Sequence, residues 1–232
     1  MKVAIMQPYL FPYIGYYQLI NAVDIFIVYD DVAFIKQGWI NRNNLLLNNK
    51  KFLFFVPVKG ISSFKKIFDT EIDYKMKWAK KMLMTIEQAY KKAPYFQDVF
   101  PILQSVLESQ KATISELATE SLLQVCKYLE IETEFKLSSV LYKDTELKGK
   151  ERVIEICLHE KATHYINPIG GQELYSKEDF LMHNLHLNFI KTEQISYNQF
   201  NNEFIPSLSI IDVLMFNSLD EIKVMLNQFE LI

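Results

Sequence analysis

Val3-Ala-Ile-Met-Gln-Pro-Tyr-Leu-Phe-Pro-Tyr-Ile-Gly-Tyr-Tyr-Gln-Leu-Ile20 decides how the rest of the chain is read. Its first four residues are apolar, the length and character of a buried strand. Pro8 and Pro12 break the run, and a helical spacing resumes at Ile14, Tyr17, Gln18, Leu19 and Ala22. The stretch therefore reads as strand, tight loop, helix. In a parallel α/β sheet such a loop lies at the carboxyl end of a strand and the amino end of a helix, where ligands bind. Gln7, Tyr9, Tyr13, Tyr16 and Tyr17 make this loop and the start of its helix a candidate cleft wall, because phenol rings suit a half-wet surface. A packed turn whose tyrosines bond to backbone fits the same residues.

Working outward, Ile25-Phe-Ile-Val-Tyr29 is a second buried strand, and a right-handed crossover sets it parallel to the first. It ends in Asp30-Asp31, which puts Asp30 forward as a ligand carboxylate or general base. An Asx turn is the alternative reading of the pair. Trp39-Ile-Asn-Arg-Asn43 then collects a stacking ring, two amides and a guanidinium, with Lys36 close by. Trp39 suits a sugar or base, Arg42 a phosphate or carboxylate, and Asn41 and Asn43 hydroxyls. A polar loop or hairpin whose arginine makes a structural ion pair fits equally.

A third strand is expected over 51–58, ending near Pro57, and a weak alternation suggests another over 64–73. The period turns helical from 74 to 130, in three helices that read as an insert or subdomain. The sheet pattern returns at 134–138, followed by an amphipathic helix over 150–159 and a short strand over 163–166. That strand carries Tyr165 and ends in Asn167-Pro-Ile-Gly-Gly-Gln172. Gly170 and Gly171 can bring backbone N–H groups to an anion or a sugar, with Asn167 beside them. A helix capped by Ser176, a strand over 187–190, and helices over 204–216 and 218–226 complete the chain. The expected fold is α/β: a mostly parallel sheet of about five strands flanked by helices, in a single domain over 1–232 with the helical insert at 74–130.

Half of the 232 residues are hydrophobic and 23% are charged, as in globular proteins. A formal charge of −3 offers no electrostatic case for nucleic-acid binding. Cys126 and Cys157 form no metal or redox motif and read as reduced core thiols of a cytoplasmic protein. No apolar run approaches the roughly 18–20 residues of a membrane span, so the chain is expected not to cross a membrane. His159-Glu-Lys-Ala-Thr-His164 places its histidines five apart, about 140° around a helix, so no zincin-type metal site is expected.

Met6–Ile20, Asp30-Asp31, Trp39–Asn43, Tyr90 with Ala93-Pro-Tyr-Phe96, Tyr165-Ile-Asn-Pro-Ile-Gly-Gly171 with Tyr175, and Phe204–Asp212 together resemble the WbqC-like family over nearly the whole chain. The resemblance implies a bacterial protein of surface-polysaccharide biosynthesis, such as O-antigen and lipopolysaccharide. Acyl or aminoacyl transfer to an amino sugar, free or as a sugar nucleotide, is the reaction it suggests. A complex with neighbouring pathway enzymes goes with it, and so does the alternative of a non-catalytic binding or scaffold protein. Residues 7–31 also resemble the opening unit of HIGH-motif nucleotidylyltransferases and pantothenate synthetases, which belong to the HUP fold group. Tyr13-Ile-Gly-Tyr16 stands at the HIGH position, with tyrosines for both histidines. This resemblance implies ATP as co-substrate, catalytic positions for Tyr13 and Tyr16, and a close backbone approach at Gly15. Positive charge must then come from Lys36, Arg42, Lys59 or the helix N-terminus.

Overall fold

The structure is a computed structural model that describes residues 1–62, 64–142, 146–200 and 203–232. Strands β1 (Lys2–Met6) and β2 (Ile25–Val28) pair in parallel, Val3 against Ile25 through Met6 against Val28. Both faces of these strands are covered, which is why they read as unbroken apolar runs. Ala4, Phe26 and Val28 point into one core with Leu19 and Ile20 of α1 (Ile14–Asn21). Val3, Ile5, Ile25 and Ile27 point into the other core, with Val153, Ile156 and Cys157 of α6 (Gly149–His159) and Phe180 of α7 (Lys177–Leu181).

Strands β5 (Glu134–Leu137), β6 (His164–Pro168) and β7 (His186–Thr192) complete the parallel part. The strand order is β5-β2-β1-β6-β7-β8. Five parallel strands agree with the expected sheet. The sixth, β8 (Phe229–Leu231), pairs antiparallel with β7 and was not foreseen. Three residues at a chain end are too few to show a period.

The strand expected over 51–58 exists as β4 (Lys50–Phe55). It pairs with β3 (Arg42–Leu47) in a separate two-stranded hairpin, in which Arg42 bonds backbone carbonyls and, among the described residues, makes none of the ion pairs expected of it. Asn48 and Asn49 form its two-residue turn with φ of 51° and 58°. Asparagine tolerates that left-handed backbone, and such turns match strand twist. The strand expected over 64–73 is not present among the described residues. Isolated bridges hold that segment instead, Ala33 to Lys66, Val58 to Ile72 and Glu71 to Thr113. The helix expected from 204 begins only at Ile210, as α8 (Ile210–Phe216). Pro206 and Ser207, the latter at φ 60°, break the backbone first, and Ser209 caps the helix.

Helices α2 (Trp78–Tyr90), α3 (Phe96–Leu107) and α4 (Ile114–Tyr128) occupy the expected helical region. Ile86, Tyr90, Val99, Leu103 and Val125 belong to the same buried cluster as Ala4 and Leu19. The remaining helices are the single turn α5 (Ser138–Leu141) and α9 (Leu219–Met225), whose Ser218 and Glu221 form a capping box.

The loop after β1 is held from three directions. Phe11 is fully buried at φ 43°, a conformation that bulky residues avoid. Its carbonyl accepts from Asn43 Nδ2 at 2.7 Å and from Ser209 Oγ at 2.7 Å. Its N–H donates to Ser121 Oγ at 3.2 Å. Leu10 N donates to Ile40 O, and Ile210 N to Pro12 O. Replacing Asn43→Ala removes one of these clamps and leaves buried carbonyls short of a donor. The expected loss is about 1–3 kcal/mol, read as a lower urea midpoint at unchanged slope. A loss under about 0.5 kcal/mol, ordinary for a surface residue, would refute the clamp.

Candidate functional site

The chain leaves β1 through α1 toward β2, and later returns from β5 through α6 to β6 on the other side of β1. The connections after β1 and β6 therefore diverge, which opens a crevice at their carboxyl ends. Gln7 follows β1, and the 169–171 turn follows β6. Gln7 is half-buried, and its carbonyl accepts from Tyr16 Oη at 2.6 Å. The Tyr9 and Tyr16 rings pack at 5.5 Å. Tyr16 is buried, and burial holds its hydroxyl well above the ordinary phenol pKa. Tyr13 is 44% exposed and lines a separate cleft of about 270 Å³ with Thr192 and Tyr197. Of the two tyrosines at the HIGH position, only Tyr13 faces solvent. A Cβ on Gly15 would stand 2.6 Å from Thr192 Oγ1 and 2.4 Å from the Tyr13 ring, so glycine is needed for α1 to close on the end of β7.

Within Trp39–Asn43, the polar groups of Asn41, Arg42 and Asn43 are committed to backbone. Asn41 Nδ2 donates to Val56 O at 2.8 Å, and Asn43 clamps the Phe11 loop. Arg42 Nε donates to Gly38 O at 2.9 Å, and its Nη2 bonds Gln37 O. The guanidinium also lies 5.6 Å over the half-exposed Trp39 ring. Lys36 is exposed on the same turn.

Asp30 gathers a different set. Its carboxylate accepts from Ser115 Oγ at 2.8 Å, Ser139 Oγ at 3.0 Å and Ser139 N at 3.0 Å. Ser138 Oγ donates to the neighbouring Asp31 at 2.5 Å. Asp30 is buried at the floor of a cleft of about 370 Å³ between the start of α4 and α5. Lys111, Glu116, Thr119 and Glu120 line the rim. Lys111 pairs with Glu120 at 3.1 Å, and the Thr119 hydroxyl has no partner among the described residues. Asp31 turns the other way, to the buried Arg152 at 3.5 Å. Arg152 also holds Glu155 at 2.9 Å and bonds Tyr142 O. Desolvation, with a smaller push from Asp31, raises Tyr29 to about 12.

Beyond β6, Tyr165 is buried with its ring stacked on Phe180, and its hydroxyl donates to Asn167 Oδ1 at 3.0 Å. Gly171 makes room for the Asn167 amide, since a Cβ there would fall 1.8 Å from Nδ2. Gly170 faces open space. The hydrogen bonds thus sort the expected site residues into separate groups. Ser115 and Arg152 were not singled out as site residues. The available signal was a polar residue on an otherwise inward-facing helical stripe, which composition alone does not flag.

Asp212 is a further buried carboxylate. It accepts from Tyr90 Oη at 2.9 Å, Tyr197 Oη at 2.7 Å and Gln199 Nε2 at 2.6 Å. Burial raises its pKa, and the three donors only partly oppose that. The histidines pair with rings: His164 packs on His186 at 5.0 Å, and His159 on Tyr142 at 5.2 Å. Among the described residues no three His, Cys, Asp or Glu side chains are grouped to hold a metal ion.

The chain is thus a parallel α/β protein with polar clefts along the carboxyl edge of its sheet, the edge at which such folds hold ligands. Comparison with known proteins gives its family. The model of the WbqC-like protein family matches residues 7–224, and the chain belongs to that family. It is 33% identical over 221 residues to the uncharacterized protein Rv1507c of Mycobacterium tuberculosis (strain ATCC 25618 / H37Rv), covering 93% of each chain. No solved structure matches.

Two substitutions test this geometry. Gly171→Ala displaces the Asn167 amide and removes the buried Tyr165 acceptor, for an expected loss of about 1–3 kcal/mol in urea unfolding. Gly170→Ala, in open space, stays within about 0.5 kcal/mol. For Asp212 the folded state binds the proton more tightly than the unfolded chain. Its contribution is therefore full below the unfolded carboxylate pKa of about 4 and is lost as pH rises through the higher folded value. Wild-type stability should fall relative to Asp212→Asn as pH climbs from about 4 to 8, and parallel curves would refute the assignment.

Proposed function

We propose that this WbqC-like protein serves bacterial surface-polysaccharide biosynthesis by binding an amino sugar, carried on a nucleotide, in the Asp30 cleft. The observation behind this reading is the direction of the Asp30 hydrogen bonds. Ser115 and Ser139 give their hydroxyl protons to Asp30, so what they offer the cleft is lone pairs. Glu116 and Glu120 on the rim add acceptors. An acceptor-rich cleft favours a donor-rich ligand, and a sugar bearing hydroxyls and an ammonium is such a ligand. In this reading Asp30 orients the two serines rather than acting as the base.

The reaction that fits is acyl or aminoacyl transfer to the sugar amine. Burial raises both thiols, Cys126 and Cys157, to about 12, so neither is poised to carry the acyl group. Transfer is then direct: the bound ammonium gives one proton to solvent, the amine nitrogen forms the C–N bond to the acyl carbon, the bond from that carbon to a thiolate or AMP leaving group breaks, and the second nitrogen proton passes to the leaving group or solvent. The donor arrives activated, as a thioester or as an adenylate made from ATP. Two unpaired core thiols suit a cytoplasmic setting. The second reading, a binding or scaffold protein of the same pathway, draws on Asp30 being saturated by donors of the chain itself.

Calorimetric titration of UDP- and dTDP-amino sugars against their N-acetylated forms tests the proposal. The free amine should bind about tenfold or more tightly, the worth of one charge-assisted hydrogen bond. Asp30→Asn, checked for an intact melting transition, should abolish that preference. Equal affinity for amine and amide would overturn the amino-sugar reading. Binding without product in the presence of acyl donors would leave the scaffold reading in place of the transferase.

A further inference from the structure

The hairpin and α2 carry a surface that the cleft does not use. Phe52, Leu53 and Phe55 of β4 are 39%, 46% and 53% exposed. With the 63%-exposed Met76 they line an apolar groove of about 180 Å³, floored by Trp78 and Met82. The groove shares Lys81 and Thr85 with a second hollow along α2. Lys77, Lys80 and Lys91 line that hollow beside Met84, which is 60% exposed, and Glu87 is its one acidic residue. None of these four lysines is ion-paired among the described residues. Residues 50–92 hold eleven lysines against four acids, in a chain whose net charge is −3. The rest of the chain therefore carries −10, and the positive charge is concentrated around the exposed apolar groups.

We infer that this face docks on an anionic lipid bilayer. Lysines act as point charges toward headgroup phosphates, while apolar side chains between them enter the headgroup–acyl boundary. Two features favour a bilayer over other partners. Phe52, Leu53 and Phe55 of β4, with Met76 and Met84, are exposed beside the lysines of the α2 hollow, the mixture of cationic and apolar side chains that an anionic lipid surface takes. Three of the five exposed apolar groups, Leu53, Met76 and Met84, offer no ring face for base stacking, which leaves only Phe52 and Phe55 for a single-stranded nucleic acid. No helix among the described residues is long and apolar enough to cross a membrane, so the attachment is peripheral.

The test is sedimentation of the full chain with vesicles of phosphatidylcholine, with or without about 30 mole per cent phosphatidylglycerol. The protein should pellet with the anionic vesicles, stay in solution with pure phosphatidylcholine, and be released at about 0.5 M salt. Lys77→Gln with Lys80→Gln should weaken partitioning about tenfold or more. Phe55→Ser with Met76→Ser should also weaken it, with the melting temperature unchanged because both side chains are exposed. No binding to anionic vesicles at low salt overturns the inference, as does binding that neither double variant reduces. Affinity for a single-stranded oligonucleotide without vesicle binding, or a dimer that the Phe55 and Met76 variant dissolves without vesicle binding, overturns it too.

Discussion

The carbonyl of Phe11 is the point on which the architecture turns. A non-glycine residue in a left-handed conformation, fully buried, must have its backbone groups satisfied within the protein. Asn43 of the hairpin and Ser209 at the start of α8 supply the carbonyl's donors, and Ser121 of α4 takes the N–H. One residue of the first loop thus ties together parts of the chain separated by up to 198 positions. The hairpin, the helical region and the C-terminal helices all meet at the carboxyl end of β1. Any shift of one is felt in the loop that borders the crevice.

Three buried aspartates show three answers to one electrostatic problem. An isolated carboxylate in a dry interior is strongly disfavoured, so each must be compensated. Asp31 has a cation, Arg152. Asp30 has neutral serine donors and a backbone N–H. Asp212 has two phenols and an amide but no cation, and burial pushes its pKa upward. Hydrogen bonding without countercharge only partly offsets desolvation there. These choices divide the labour. Asp212 joins α2, α8 and the 197–199 segment, Asp31 locks α6 to β2, and Asp30 alone faces a cleft.

The distribution of charge follows the same division. The polar cleft lies at the sheet edge, where strand ends and helix starts meet. The lysines and exposed aromatics gather on the hairpin and on α2, outside the main sheet. Leu45, Leu46 and Phe54 of the hairpin are buried in the main core, while Phe52, Leu53 and Phe55 of β4 stay exposed where the central strands bury their apolar groups.

Period and punctuation made the framework legible from the sequence. The unbroken apolar runs at 3–6 and 25–28 require covering on both faces, which specifies a parallel sheet with helices on each side. Ser176 and Ser218 marked helix starts because a capping oxygen acts within a few residues of its own position. The chemistry of Asp30 was legible as a carboxylate at a strand end for the same local reason. The grouping of side chains was not legible. Asn41, Arg42 and Asn43 look like ligand donors in a row, yet their polar groups bond backbone as near as Gly38 and as far as Phe11. Ser115 reaches Asp30 across 85 positions, and Tyr90 reaches Asp212 across 122. Hydrogen-bond partners are set by distance in space, and only the packed tertiary structure brings such residues within 3 Å.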